Sequence, residues 1–360
     1  MDYKIMHKDR VIAFANENGI YEIIEKSLCP ACFAIGMPLE VWLDNRSVDI
    51  HRSHSRKLFK ALRLRNADEI EQIIDIGHGI TITDNWWIQK SHENLDYSSL
   101  KRYNEEIADI ALYGASASDS GNTEGYRELG TVGSYEKAWR FIDGCWYMFK
   151  QGNIQELISE YYSFIFLKSM GVNVAEYDIK RITSEETGLT STFIITKDFT
   201  GNAELDFEPF CNYYTDHDEP EYIISRIDKK HIVSYVMMVF YDALLHNDDR
   251  HNQNAGFLRN TITGEIISIA PYFDYNLGLI STGVPRIDSD KGNVFTKAFL
   301  ENYICCSILK QELPDRNDII RSIKNAECKC LQVFSDIKLN YNIIHDYIIS
   351  TYDYFSNALK

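Results

Sequence analysis

The stretch from Lys229 to Leu245 constrains this chain more than any other, because apolar residues recur there nearly all round a helix. Such a helix has no face left for water and must lie inside a packed unit. A polar loop follows at once, His246-Asn-Asp-Asp-Arg-His-Asn-Gln-Asn254. Two runs come next, Ala255 to Leu258 and Ile266 to Ala270, and with Thr263-Gly264 between them they read as a hairpin. The hairpin ends in Pro271-Tyr-Phe-Asp-Tyr-Asn276, which returns an aspartate toward the loop behind the buried helix. Beyond Asn293 several helical stretches run on to the end.

With 360 residues the chain exceeds the usual size of one core, and its 45% hydrophobic and 25% charged composition is that of a globular protein, so two or three packed units are expected. A strand over Arg10 to Ala15 and an amphipathic segment starting near Ser53, with Leu58, Ala61, Leu62 and Leu64, predict a small α/β domain over 1–115. Between Tyr113 and Glu128 the chain is rich in Gly, Ser and Asp and reads as a linker. Strands are then expected at Ala138 to Ile142 and Cys145 to Lys150 around an Asp143-Gly144 turn. A helix from Ile154 to Met170 and strands at Ala175 to Ile182 and Ser191 to Lys197 follow. The fold class is therefore α+β, with a β-rich lobe over 116–200 and a mostly helical lobe over 201–360.

The formal net charge of -16 argues against a broad direct grip on nucleic acid, which needs a basic surface to release counterions. The basic cluster Arg52, Arg56, Lys57, Lys60, Arg63 and Arg65 reads as a solvated helix face, with an acidic partner or nucleic acid as the other reading. Eight cysteines lie mostly scattered and read as reduced thiols. Cys29-Pro-Ala-Cys32 alone has metal-ligand spacing, without a second pair to complete it. The start of the chain has no apolar signal core, and no apolar run reaches the length of a membrane span, so a cytoplasmic protein without membrane contact is expected.

Asp249 and Asn254 stand five apart on the polar loop, a carboxylate to orient a hydroxyl and an amide oxygen to hold a metal. Asp274 offers a second metal ligand from the end of the hairpin. Phosphoryl transfer from a nucleotide needs these parts, with metal ions bridging the phosphates. Asp248 competes with Asp249 but lies six from Asn254. His251 fits a bracing role within the turn. Lys150, closing the strand Trp146-Tyr-Met-Phe-Lys150, can reach phosphates, with Glu160 on the next helix to hold it and Glu156 as the alternative. Gly133 and Ser134, within Gly130-Thr-Val-Gly-Ser-Tyr-Glu-Lys137, can offer backbone N–H groups to phosphate, although a plain turn explains the same residues. Lys197, Asp198 and Phe199 are placed to present backbone groups to adenine.

Taken together, Asp249-Arg-His-Asn-Gln-Asn254 and Tyr272-Phe-Asp274 resemble the HipA-like serine/threonine kinases of bacteria. The resemblance extends through Gly133-Ser-Tyr-Glu-Lys-Ala-Trp-Arg140, Tyr147-Met-Phe-Lys150 and Ser159-Glu-Tyr-Tyr162, over roughly 125 to 300. It implies a two-lobed kinase-like fold, ATP and Mg2+ as cofactors, and a protein Ser or Thr hydroxyl as acceptor. Asp249 would be the base, Asn254 and Asp274 metal ligands, Lys150 the phosphate-binding lysine and Glu160 its partner. It further implies a toxin role beside a helix-turn-helix antitoxin, and Ser134 or Thr131 as a silencing phosphorylation site. Residues 1–115 carry no such match. A small-molecule or lipid phosphotransferase, or a nucleotide-binding corepressor subunit, are the competing readings.

Overall fold

The structure, a computed structural model, describes residues 2–46, 74, 77–100, 104–113, 136–183, 188, 190–214, 217–281 and 294–359. The basic cluster of residues 52–65, the linker, and the segment with Thr131, Gly133 and Ser134 lie outside them. The strands are β1 (Asp2–His7), β2 (Arg10–Asn16), β3 (Gly19–Ile23), β4 (Trp86–Lys90), β5 (Lys137–Ile142), β6 (Cys145–Lys150), β7 (Tyr177–Thr183), β8 (Thr190–Lys197), β9 (Leu205–Pro209), β10 (Gly256–Asn260) and β11 (Ile266–Ile269). The helices are α1 (Ala31–Ala34), α2 (Leu39–Asp44), α3 (Glu105–Tyr113), α4 (Ile154–Ser169), α5 (Cys211–Tyr214), α6 (Pro220–Ile224), α7 (Lys229–Leu244), α8 (Val294–Leu300), α9 (Tyr303–Glu312), α10 (Arg316–Val333) and α11 (Tyr341–Ala358).

Among the described residues three sheets form, in the orders β3-β2-β1-β4, β5-β6-β8-β7 and β11-β10-β9. The β5–β6 hairpin pairs Ile142 with Cys145 and Lys137 with Lys150. Its two-residue turn has positive φ at both Asp143 (50°) and Gly144 (82°), the twist that matches flanking strands. The polypeptide divides into two compact units. One comprises Met1–Gly152, Ile195–Glu208 and Phe257–Ile267; the other comprises Asn153–Ile194, Pro209–Gly256 and Ser268–Lys360.

In the first unit, the N-terminal sheet packs Ile5, Trp86 and Ile88 with Trp42 and Leu43 of α2. Burying such side chains contributes about 1.5–3 kcal/mol each. A buried ion pair joins Arg46 to Asp84 at 2.7 Å, with the guanidinium 4.4 Å from the Trp42 ring. On β10, Arg259 pairs with Glu208 of β9 and donates to the carbonyls of Ser27 and Cys29, while Ala31 N–H donates to Glu208. The β9–β11 sheet is thereby fastened to the segment leading into α1.

In the second unit, α4 starts at Asn153, whose side chain accepts the Glu156 N–H and donates back to the Glu156 carboxylate. It ends at Met170, with Gly171 in the left-handed conformation beyond it. The helix read from all-round apolarity is α7, capped by Asp228; Val236, Phe240 and Leu244 are fully buried along it, and α8, α9 and α11 pack against it. Helix α10 lies along α4.

Two turn glycines separate conformational from steric cost within the first unit. Gly144 has open space where a Cβ would stand, whereas a Cβ on Gly264 (φ 74°) would land on the Ser27 carbonyl. Gly144→Ala should therefore lower stability by about 1–2 kcal/mol, the left-handed penalty alone. Gly264→Ala should lower it clearly further. Thermal unfolding of the two variants checks this, and equal midpoints would contradict it.

Candidate active site

Helix α7 closes at Leu245, and His246 takes a positive φ of 47° that turns the chain into the polar loop. Asn254, 2% exposed, holds that loop together. Its Oδ1 accepts the His251 N–H at 2.9 Å, and its Nδ2 donates to the Asp249 carbonyl at 2.6 Å. Asp249 is therefore fixed at its backbone while its side chain stays half-buried. The His251 ring accepts the Gln253 N–H through Nδ1 and braces the same turn. Asp248 is exposed and approaches His246 Nδ1 to 3.3 Å, short of hydrogen-bond geometry.

Arg250 fastens this loop to its surroundings. Its Nε and one terminal nitrogen clamp both oxygens of Asp242, on α7, at 3.0 and 2.9 Å. The other terminal nitrogen donates to the carbonyls of Asn254 (2.7 Å) and Phe273 (2.9 Å), the latter directly preceding Asp274. Burial alone would lower the guanidinium pKa, but the Asp242 carboxylate outweighs it and raises the value, so Arg250 stays charged. One cation thus ties the buried helix, the loop and the aspartate motif together.

The aspartate motif is held from the other side by α4. Tyr272 exchanges backbone hydrogen bonds with Asn173 and Ala175, its hydroxyl donates to Ser234 on α7, and Ser159 donates to the Tyr275 carbonyl. Asp274 itself sits at φ 62°, a conformation that costs a non-glycine residue roughly 1–3 kcal/mol and clusters at functional sites. Its N–H donates to the Tyr177 hydroxyl at 3.1 Å. That phenol is pushed well above its ordinary range by burial, then by the charges of Glu160 and Asp274. It therefore remains protonated and hydrogen-bonds to Glu160, itself 2% exposed on α4. Glu160 and Asp274 meet through one tyrosine.

The remaining candidates are placed as follows. Lys150 closes β6 opposite Lys137. Glu156 serves the start of α4 through Asn153. Lys197 is exposed, and Phe199 stacks edge-on to Phe207. The Asp198 N–H donates to the Trp146 carbonyl, and its carboxylate accepts from Thr200 and Asn202 within its own turn. Cys29 is a buried thiol donating to the Ile12 carbonyl, pushed up to about 11 chiefly by burial, so a metal-binding thiolate there is disfavoured. Asp242, Arg250 and Tyr177 escaped the sequence reading. Only Asp242, a carboxylate within a buried helix, left a signal.

The donors at this site suit a small hard cation. Asn254 Oδ1 accepts from the His251 N–H at 2.9 Å and, more distantly, from Arg250 at 3.4 Å, and Asp274 adds a carboxylate. The buried Asn276 Oδ1, two residues on, lacks a partner among the described residues. No group of three or more His, Cys, Asp or Glu among the described residues forms a complete cage.

No family model matches the sequence, and no curated protein matches it. Among solved structures the chain is similar to HipA of the Shewanella oneidensis MR-1 toxin–antitoxin system, determined in complex with HipB and operator DNA. Identity is 13%, the match covers 99% of this chain and 97% of that one, and the TM-score is 0.52. It is also similar to the proinflammatory kinase CtkA of Helicobacter pylori, at 22% identity over 61% of this chain and 90% of that one, with a TM-score of 0.44. The Shewanella match establishes a HipA-like kinase fold of the α+β class. It spans residues 1–115 as well, where the sequence showed no resemblance.

Removing one member of a buried ion pair strands the other charge and costs about 3–5 kcal/mol. Arg250→Met should show a loss of that size in urea unfolding. Arg250→Lys should recover little, because an ammonium cannot span both Asp242 oxygens and two carbonyls. A wild-type midpoint for Arg250→Met would contradict the clamp.

Proposed function

We propose that the chain is an ATP- and magnesium-dependent protein kinase that transfers the γ-phosphoryl group to a Ser or Thr hydroxyl of a protein. The observation that carries this reading is the Arg250 clamp, which holds the Asp249 loop and the Asp274 motif in one rigid arrangement. Phosphoryl transfer depends on positioning and charge stabilisation far more than on covalent chemistry by the protein. An arrangement fixed by buried hydrogen bonds supplies the positioning.

In this reading Asp249 orients the acceptor hydroxyl and takes its proton. Asn254 and Asp274 hold Mg2+ through oxygen, and Lys150 keeps the phosphate contact its motif assigns, with Glu160 as its partner. When bound, MgATP supplies the phosphoryl group and neutralises charge on the phosphates. Gly133 and Ser134 retain a backbone role toward phosphate, and Lys197, Asp198 and Phe199 remain candidates to offer backbone groups to adenine.

The Shewanella HipA was determined with HipB and operator DNA. We propose a helix-turn-helix antitoxin or regulator as a partner for this chain, with any nucleic acid reached through that partner. The acidic net charge of -16 supports that division of labour. Among the described residues no helix is long and apolar enough to cross a membrane.

Purified chain with labelled ATP and Mg2+ should phosphorylate itself or a protein acceptor. Asp249→Asn should lose about 10²–10⁴-fold in rate, the usual worth of a positioned general base. Asp248→Asn should retain most of it. Undiminished transfer by Asp249→Asn would overturn the assignment.

A further inference from the structure

A cavity of about 310 Å³ opens within the second unit beside the loop of the proposed base. Arg250, His251 and Asn252 line it, yet Asp249 does not. A molecule filling it therefore cannot also present its hydroxyl at Asp249 unless it continues beyond the cavity. That geometry calls for an extended acceptor with one side chain seated here and another at the base.

The walls define the chemistry of the seated side chain. Ile223 of α6 and Met238 and Val239 of α7 give an apolar lining suited to an aliphatic stem. Asp218 and Glu219 line the same cavity with exposed carboxylates. Asp218 uses Oδ1 to accept the Asn252 N–H. Asp242 also lines it, but its charge is neutralised by Arg250. Asn247, 3% exposed, donates through Nδ2 to Asp242, and its Oδ1 has no partner among the described residues. The reverse amide orientation would set oxygen against carboxylate, so an acceptor is what Asn247 has left to offer. Two exposed carboxylates and an unsatisfied amide oxygen ask for a cationic N–H donor.

Resting on the kinase reading above, we infer that this cavity receives an arginine or lysine side chain of the protein acceptor, and so selects Ser or Thr residues close to a basic residue. The stem packs on the apolar wall while the charged head meets carboxylates, as long basic side chains do elsewhere. Because Arg250 both lines the cavity and adjoins Asp249, and an extended chain spans about 3.3 Å per residue, the basic residue should lie within about four positions of the phosphorylated one. The net charge of -16 also favours encounter with basic segments.

The test uses the full chain and a fluorescent Ser-containing peptide with one Arg, against the same peptide carrying citrulline, which keeps the shape and drops the charge. At low ionic strength the Arg peptide should bind at least about tenfold tighter, the scale of one or two charged hydrogen bonds. The doubly substituted Asp218→Asn, Glu219→Gln chain should erase that difference. A charge-reversed chain, Asp218→Lys with Glu219→Lys, should instead prefer a peptide with Glu at the same position. With labelled ATP, the Arg peptide should show the lower KM. Equal binding of Arg and citrulline peptides, or an undiminished preference in the doubly substituted chain, would overturn the inference. Free arginine binding as tightly as the peptide would overturn it in favour of a small cationic acceptor. Charge-selective binding without phosphorylation of any acceptor would overturn the kinase reading while leaving the pocket's selectivity standing.

Discussion

The Asp242–Arg250 ion pair is the interaction on which the candidate site depends. A carboxylate inside the buried helix α7 is tolerable only with a partner, since an isolated charge in an apolar interior is strongly disfavoured. Arg250 meets it bidentately and still has donors for two carbonyls, one in its own loop and one immediately before Asp274. Lysine has neither the planar fork nor enough directed donors for that task. The same cation therefore answers an energetic problem in the helix and sets the spacing of two motifs that are far apart in sequence.

A second tether works from α4. The Tyr177 hydroxyl accepts the Asp274 N–H and donates a hydrogen bond to Glu160, so a strained residue and a buried carboxylate share one neutral hydroxyl. Positive φ at Asp274 persists because the flanking residues are pinned, Tyr272 to α7 and Tyr275 to α4. Backbone strain held this way clusters at functional sites.

Much of the local structure was legible in the sequence. Strand β6 spans the expected Cys145 to Lys150, and α4 and α7 each end within one residue of expectation. Their signals are local: a period of two around an Asp-Gly turn, a period near 3.6 bounded by Asn153 or Asp228. The short α1, α2, α5 and α6 and the strands β1, β3, β4 and β9 were not read, because elements of this length owe their form to distant partners. Strand β1 pairs with β4 far along the chain, Ile5 opposite Ile88. At the site, the spacing of Asp249 and Asn254 and the aspartate after the hairpin were visible as positions. Their fastening was not, since Tyr177 and Asp274 are 97 residues apart and no local pattern announces the contact. The fold of the Asp198 carboxylate onto its own turn was likewise not read, although a carboxylate before a turn readily does this.

In the proposed function Asn254 and Asp274 hold one divalent ion against the phosphates of a nucleotide. A crystal structure of the full chain with Mg2+ and a non-hydrolysable ATP analogue tests it most directly. The account predicts one Mg2+ with the Asn254 amide oxygen and an Asp274 carboxylate oxygen both at about 2.1 Å. A bound metal–nucleotide complex touching neither side chain would contradict it.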